Sequence, residues 1–204
     1  MATLTDDLAS QLQGAPVQQV AQQLGIDSSQ ASSAIGAALP LLMGALGRNA
    51  SQPQGAQSLF GALQKDFAGA GDLGGLLGAV LGGQQSRQTN GAGILGHVLG
   101  GQLPRAEAGL GQATGLGNDK AGQLMKILAP IVLAFIAKRM FQDRDAGAQP
   151  DPQQLGAILG QEQQQVRQQG GLGGGLLGAV LDQDGDGQFG LGDLLKIGGG
   201  LLGG

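Results

Sequence analysis

Three aspartates, Asp182, Asp184 and Asp186, alternate along one short stretch, with Gly187 and Gln188 behind them and Asp193 a little further on. Carboxylates at this spacing suit a hard divalent cation. Calcium takes about six to eight oxygen ligands, so a short loop must curl around it to supply them. Such a loop gives side chains at its first, third and fifth positions and turns sharply at a glycine in the sixth. The seventh position offers a backbone carbonyl and the twelfth a carboxylate. Counted from Asp182, Asp184 falls third, Asp186 fifth, Gly187 sixth, Gln188 seventh and Asp193 twelfth. Phe189, eighth, is the apolar residue that would tuck the loop onto neighbouring helices. The expected ligand set is therefore Asp182, Asp184, Asp186, Gln188 and Asp193.

The stretch resembles an EF-hand loop, and equally the calcium loop of dockerin repeats. It departs from that pattern at the twelfth position, where Asp193 stands in place of Glu. The shorter side chain must draw the loop inward to chelate with both oxygens. With one oxygen it suits the smaller, octahedral magnesium, so magnesium is an alternative ion. Gly190 in the ninth position has no side chain to hold a bridging water, and no second loop of this kind occurs in the chain. A single site of weak to middling affinity is expected. Without metal the clustered carboxylates repel one another; with it they can dock the last segment onto the preceding helices.

The rest of the chain must position this loop, and its composition points to helices. Of 204 residues 42 are Gly; Cys, Trp and Tyr are absent and only five are Phe. The core must be aliphatic and built from small side chains. Absence of Cys excludes disulfides, thiol nucleophiles and cysteine-bound metals. A net charge of −4 offers no footprint for nucleic acid or anionic membranes. The N-terminus lacks the basic and apolar regions of a secretory signal. The longest apolar run, Ile127 to Ala137, is about half a bilayer span. A cytoplasmic protein with no membrane span is the expectation.

Apolar spacing at Leu4, Leu8 and Leu12 marks one helical face. A short helix then ends at Gly25, and Asp27 with Gln30 is placed to form a capping box for a helix running from Ser28 to about Leu46. The plan recurs ninety positions later: Ala31 becomes Ala121 and Pro40 becomes Pro130. The second long helix is expected over about Asn118 to Phe141. A proline inside a helix removes a hydrogen bond and kinks it, and meeting it twice in register argues for duplication. Gly74 to Leu81 also reappears unchanged as Gly174 to Leu181. The predicted fold is all-α: a duplicated module, each copy a helix-turn-helix plus a long proline-kinked helix, with a C-terminal helix–calcium loop–helix. The predicted divisions are 1–84, first module; 85–99, Gly-rich connector; 100–169, second module; and 170–204, the loop segment. Whether the modules share one core or form two lobes stays open at this stage.

Glycines four apart, as at Gly74, Gly78 and Gly82 or Gly96 and Gly100, give a helix a flat strip that another backbone can approach. Internal packing is the first expectation for them, self-association or partner binding the alternative. Gln161 to Gln169 and Pro150-Asp151-Pro152 read as polar connectors. Val20 to Ala31 has the outline of a DNA-binding helix-turn-helix, but its second helix offers Ser28, Ser29, Gln30, Ser32 and Ser33 and no cation for phosphates. Gly91-Ala92-Gly93-Ile94-Leu95-Gly96 matches a dinucleotide-binding glycine pattern without the strand that must precede it. His97, the sole histidine, has no evident partner, and Glu107, Asp119, Asp143, Asp145 and Glu162 show no paired spacing. No nucleophile–base constellation emerges, and no enzyme is expected.

Ile94-Leu95-Gly96-His97-Val98-Leu99-Gly100-Gly101-Gln102, then Leu124 to Val132, then the Asp-Gly-Asp-Gly loop, resemble in that order the bacterial family called domain of unknown function 937, with YidB-like relatives. The resemblance spans roughly 15–195 of this chain. It implies a bacterial, all-helical protein and carries no catalytic residues across.

Overall fold

The computed structural model describes residues 3–67, 73–84, 86–141 and 150–169. Every regular element among them is helical: α1 (Leu4–Leu12), α2 (Ala15–Leu24), α3 (Ser28–Ala50), α4 (Pro53–Ala62), α5 (Leu73–Leu81), α6 (Gly91–Leu99), α7 (Leu103–Thr114), α8 (Asn118–Phe141) and α9 (Pro152–Gln169). A π-helical turn, Leu63–Phe67, extends α4, and a 3₁₀ turn, Gly100–Gln102, precedes α7.

Local chemistry sets the helix limits. Gly25 takes the left-handed conformation after α2 (φ 61°), which a residue with a Cβ adopts at a cost. Its N–H donates to the Gln22 carbonyl and the Ile26 N–H to that of Ala21, closing the orphan carbonyls of α2. Two residues on, the Asp27 carboxylate accepts from the Gln30 N–H and starts α3. Only that arm of the expected capping box forms. A complete box stands instead at α1, where Thr3 and Asp6 bond each other's backbone N–H. The α7–α8 junction repeats the left-handed glycine, at Gly115 and Gly117, and α3 and α8 each run through their interior proline.

One hydrophobic cluster draws on both halves of the chain, so α3 and α8 share a core. Leu39, Leu41, Leu42 and Met43 of α3 are buried in near succession, as are Ile131 to Ala137 of α8. Helices buried on every side need not be amphipathic, and these two are apolar all round in their centres. The other helices pack around them, with α9 lying chiefly along α3 and α6 and α7 along α8. Helix α3 is long and apolar enough to cross a membrane, with a mean hydropathy of 1.3, yet 72% of its most apolar window is buried within the protein.

Two expectations are overturned. Residues 161–169 are not a connector but the second half of helix α9, which begins at Pro152, the last residue of the other expected connector. Asp151 caps the helix, accepting from the N–H groups of Gln153 and Gln154. Leu155 and Leu159, one turn apart, are fully buried. The glycine strips do not serve internal packing at Gly78 and Gly96, where a Cβ would meet nothing within 4 Å. Their helices turn Leu76, Leu77, Leu95 and Leu99 inward and leave these glycines facing out. Close crossings occur elsewhere: a Cβ on Gly91 would lie 1.9 Å from the Lys126 carbonyl oxygen, and one on Gly55 2.0 Å from that of Asn49.

Candidate functional site

Two cavities flank the start of α6. The first, about 510 Å³, is a groove between α4 and α6. Its apolar lining is Leu59 and Ala62 of α4, Ile94 and Val98 of α6 and, as floor, Leu133 of α8. Ile94, Val98 and Leu133 also line a small void beneath it, with Leu42 and Leu46 of α3. Gly55 lets α4 press onto the end of α3, and Gly91 lets α6 press onto α8, so the walls of the groove are set by two glycines. The π-helical turn buries Leu63 and Phe67 and brings Asp66 to the groove; turns of this kind are frequent at functional sites.

The loop before α6 is tied down by its own side chains. Ser86 N–H donates to Thr89 Oγ1 at 2.9 Å, and Thr89 N–H to Ser86 Oγ at 3.2 Å. Gln88 Nε2 donates to the Asp66 carbonyl at 2.5 Å, joining the loop to the π-helical turn. Asn90 caps α6, its Oδ1 accepting from the Gly93 N–H at 2.9 Å. This loop carries Arg87, and Arg87 and Asn90 line both the groove and the second cavity.

The second cavity is larger, about 860 Å³, and more polar than the groove, although Val80, Ala92 and Ile127 also line it. Gln23 of α2, Gln84, Ser86 and Thr89 of the loop, and Gln123 and Lys126 of α8 contribute to it. Among the described residues two cations, Arg87 and Lys126, line it and no carboxylate does. In a chain with 15 acidic and 11 basic residues this is a local reversal of charge.

His97 lies in the first groove, exposed, together with Ser58 and Asp66. These are the residue types of a nucleophile–base–carboxylate relay, but no hydrogen bond joins any two of them. The dinucleotide-like glycine pattern, residues 91–96, lies within α6 and follows no strand among the described residues. On the outline of a DNA-reading helix, Ser28, Ser29, Ser32 and Ser33 are exposed.

The expected calcium ligands Asp182, Asp184, Asp186, Gln188 and Asp193 lie outside the described residues, as does the repeat at 174–181. Among the described residues no group of three or more His, Asp or Glu is placed to hold a metal ion. Of the scattered acids, Glu162 is the one whose role sequence reasoning missed. It is buried, and its carboxylate accepts from the backbone N–H groups of Leu4 (3.0 Å) and Thr5 (2.9 Å) and from the Thr5 hydroxyl. The one available signal was its position, seven residues beyond Leu155 on the buried face of α9. Arg139 at the end of α8 pairs with Asp7 and lies over the Phe135 ring, giving α1 a second polar tie.

These features define an all-helical protein built on two long buried helices, with open cavities at the start of α6. Residues 6–139 match the family model described as bacterial protein of unknown function (DUF937), and the chain belongs to that family. The match runs from α1 to the end of α8 and so includes both cavities, while α9 and the acidic loop lie beyond it. No curated protein and no solved structure matches the chain.

Proposed function

We propose that this chain is a helical binding protein, acting without catalysis, whose C-terminal segment holds one calcium ion through Asp182, Asp184, Asp186, the Gln188 carbonyl and Asp193. The observation that carries this is the register: three alternating aspartates, Gly187 and a terminal aspartate all fit one ligand spacing. The ion's work is structural or regulatory. It neutralises the carboxylates and lets the segment after α9 settle onto the helices. A calorimetric titration of the metal-stripped chain, with magnesium as competitor, tests the reading. One site of micromolar affinity is expected, abolished in Asp184→Ala/Asp186→Ala. Unchanged affinity in that variant would sink it.

A second reading is a self-associating or partner-binding scaffold that uses the glycine faces of α5 and α6. Gly78 and Gly96 support it, since each is exposed with open space where a Cβ would sit. Light scattering over a range of concentrations decides: association that Gly78→Leu/Gly96→Leu disrupts favours it, and a monomer at every concentration counts against it.

The underlying plan is read as a duplication. In support, α2–α3 and α7–α8 share a left-handed glycine at the turn and a proline inside the long helix.

A further inference from the structure

We propose that the two cavities beside α6 form one binding site for an anionic amphiphile, an acyl or alkyl chain carrying a phosphate or carboxylate head. The larger, more polar cavity takes the head and the more apolar groove takes the chain.

Charge decides which end goes where. Among the described residues, Arg87 and Lys126 line the larger cavity without a carboxylate beside them, and neither makes an ion pair. Gln23, Gln84 and Gln123 add amides, and Ser86 and Thr89 add hydroxyls, around the same space. A phosphate or carboxylate accepts strong, charge-assisted hydrogen bonds from such donors. The groove offers the opposite surface. Leu59, Ile94, Val98 and Leu133 present an apolar floor and walls, and its volume of about 510 Å³ falls in the usual range for small-molecule sites. Asp66 lines the groove and not the larger cavity, which further steers an anionic head away from the groove.

Continuity comes from Arg87 and Asn90. Both line the two cavities, so a ligand lying across them has its head beside Arg87 and its chain entering between α4 and α6. The loop that bears Arg87 is braced by the Ser86–Thr89 bonds and by Gln88, which limits the ordering cost of binding.

The test is calorimetry on the full chain with octyl phosphate, inorganic phosphate and octanol, all in chelator so that the acidic loop is without metal. This makes the outcome independent of the calcium reading. Octyl phosphate is expected to bind one to one and more tightly than either part alone. Arg87→Gln and Lys126→Gln should each weaken it about tenfold, the scale of one charge-assisted hydrogen bond. Val98→Trp, which fills the groove, should weaken octyl phosphate and leave inorganic phosphate unchanged; Ala62→Leu on the facing wall replaces it if that variant does not fold. Octyl phosphate binding no tighter than inorganic phosphate, or indifferent to Arg87→Gln, overturns the proposal. So does the absence of saturable heat.

Discussion

Thr5 and Glu162 meet across 157 residues of sequence, the Thr5 N–H and hydroxyl both donating to one buried oxygen of the Glu162 carboxylate. The other oxygen takes the Leu4 N–H. With Thr3 accepting from the Asp6 N–H, the first turn of α1 has its orphan donors satisfied partly from within and partly by α9. A helix of nine residues has little stability alone. Glu162 therefore acts as a tertiary cap that holds the N-terminus of the chain to its last described helix.

Removing that cap leaves buried donors without an acceptor. Glu162→Ala is expected to destabilise the fold by about 2–3 kcal/mol, and Glu162→Gln, which keeps one acceptor, by about 1 kcal/mol. Urea unfolding measures both as a lowered midpoint with unchanged slope. An Ala variant within error of the wild type would mean that water replaces the carboxylate.

Glycines of this chain divide by what lies beyond them. Gly91→Ala drives a methyl into the Lys126 carbonyl and should cost about 1–3 kcal/mol. Gly96→Ala places the same methyl in open space and should stabilise α6 by up to about 1 kcal/mol. Thermal unfolding of the two variants should move in opposite directions. A parallel shift would contradict the close crossing of α6 on α8.

The start of α3 carries a pH dependence. The Asp27 carboxyl is held below its ordinary value of 3.8, first by the Ser29 hydroxyl and then by the Gln30 N–H. Its folded pKa is depressed, so its contribution to stability is complete above the unfolded value and is lost as pH falls through the folded one. The loss therefore lies below about pH 3.8. Ser29→Ala should raise the Asp27 titration midpoint, read by NMR of the side-chain carboxyl. A midpoint unmoved by Ser29→Ala would assign the shift to the backbone alone.

If Asp182 to Asp193 hold calcium in the folded chain, the ion must stabilise it by mass action. At a hundred times the dissociation constant the gain is about 2.7 kcal/mol. Chelator should reverse the rise in melting temperature, and Asp182→Asn should reduce it. A melting temperature indifferent to calcium in the wild type would leave the loop an acidic turn.

The limits of the helices were legible in the residues because capping is local. Gly25 ends α2 and Asp27 begins α3 through bonds spanning three to five residues, and α8 occupies Asn118–Phe141 as its apolar spacing predicts. The all-helical class followed from composition and period in the same way. Helix α9 was masked because its exposed glutamines outnumber the two buried leucines that reveal its face.

What only the tertiary structure decided depends on which surfaces meet. Nothing near Glu162 in sequence says that an N-terminal helix will end against it. Gly91 and Gly96 lie five residues apart on one helix, and the position of α8 covers one and leaves the other open. Arg87, Asn90 and Lys126 come from a loop and a helix more than thirty residues apart, and packing alone sets them around one cavity. Local bonding chose the elements of this protein; close packing between distant elements chose its buried carboxylate, its narrow crossings and its cavities.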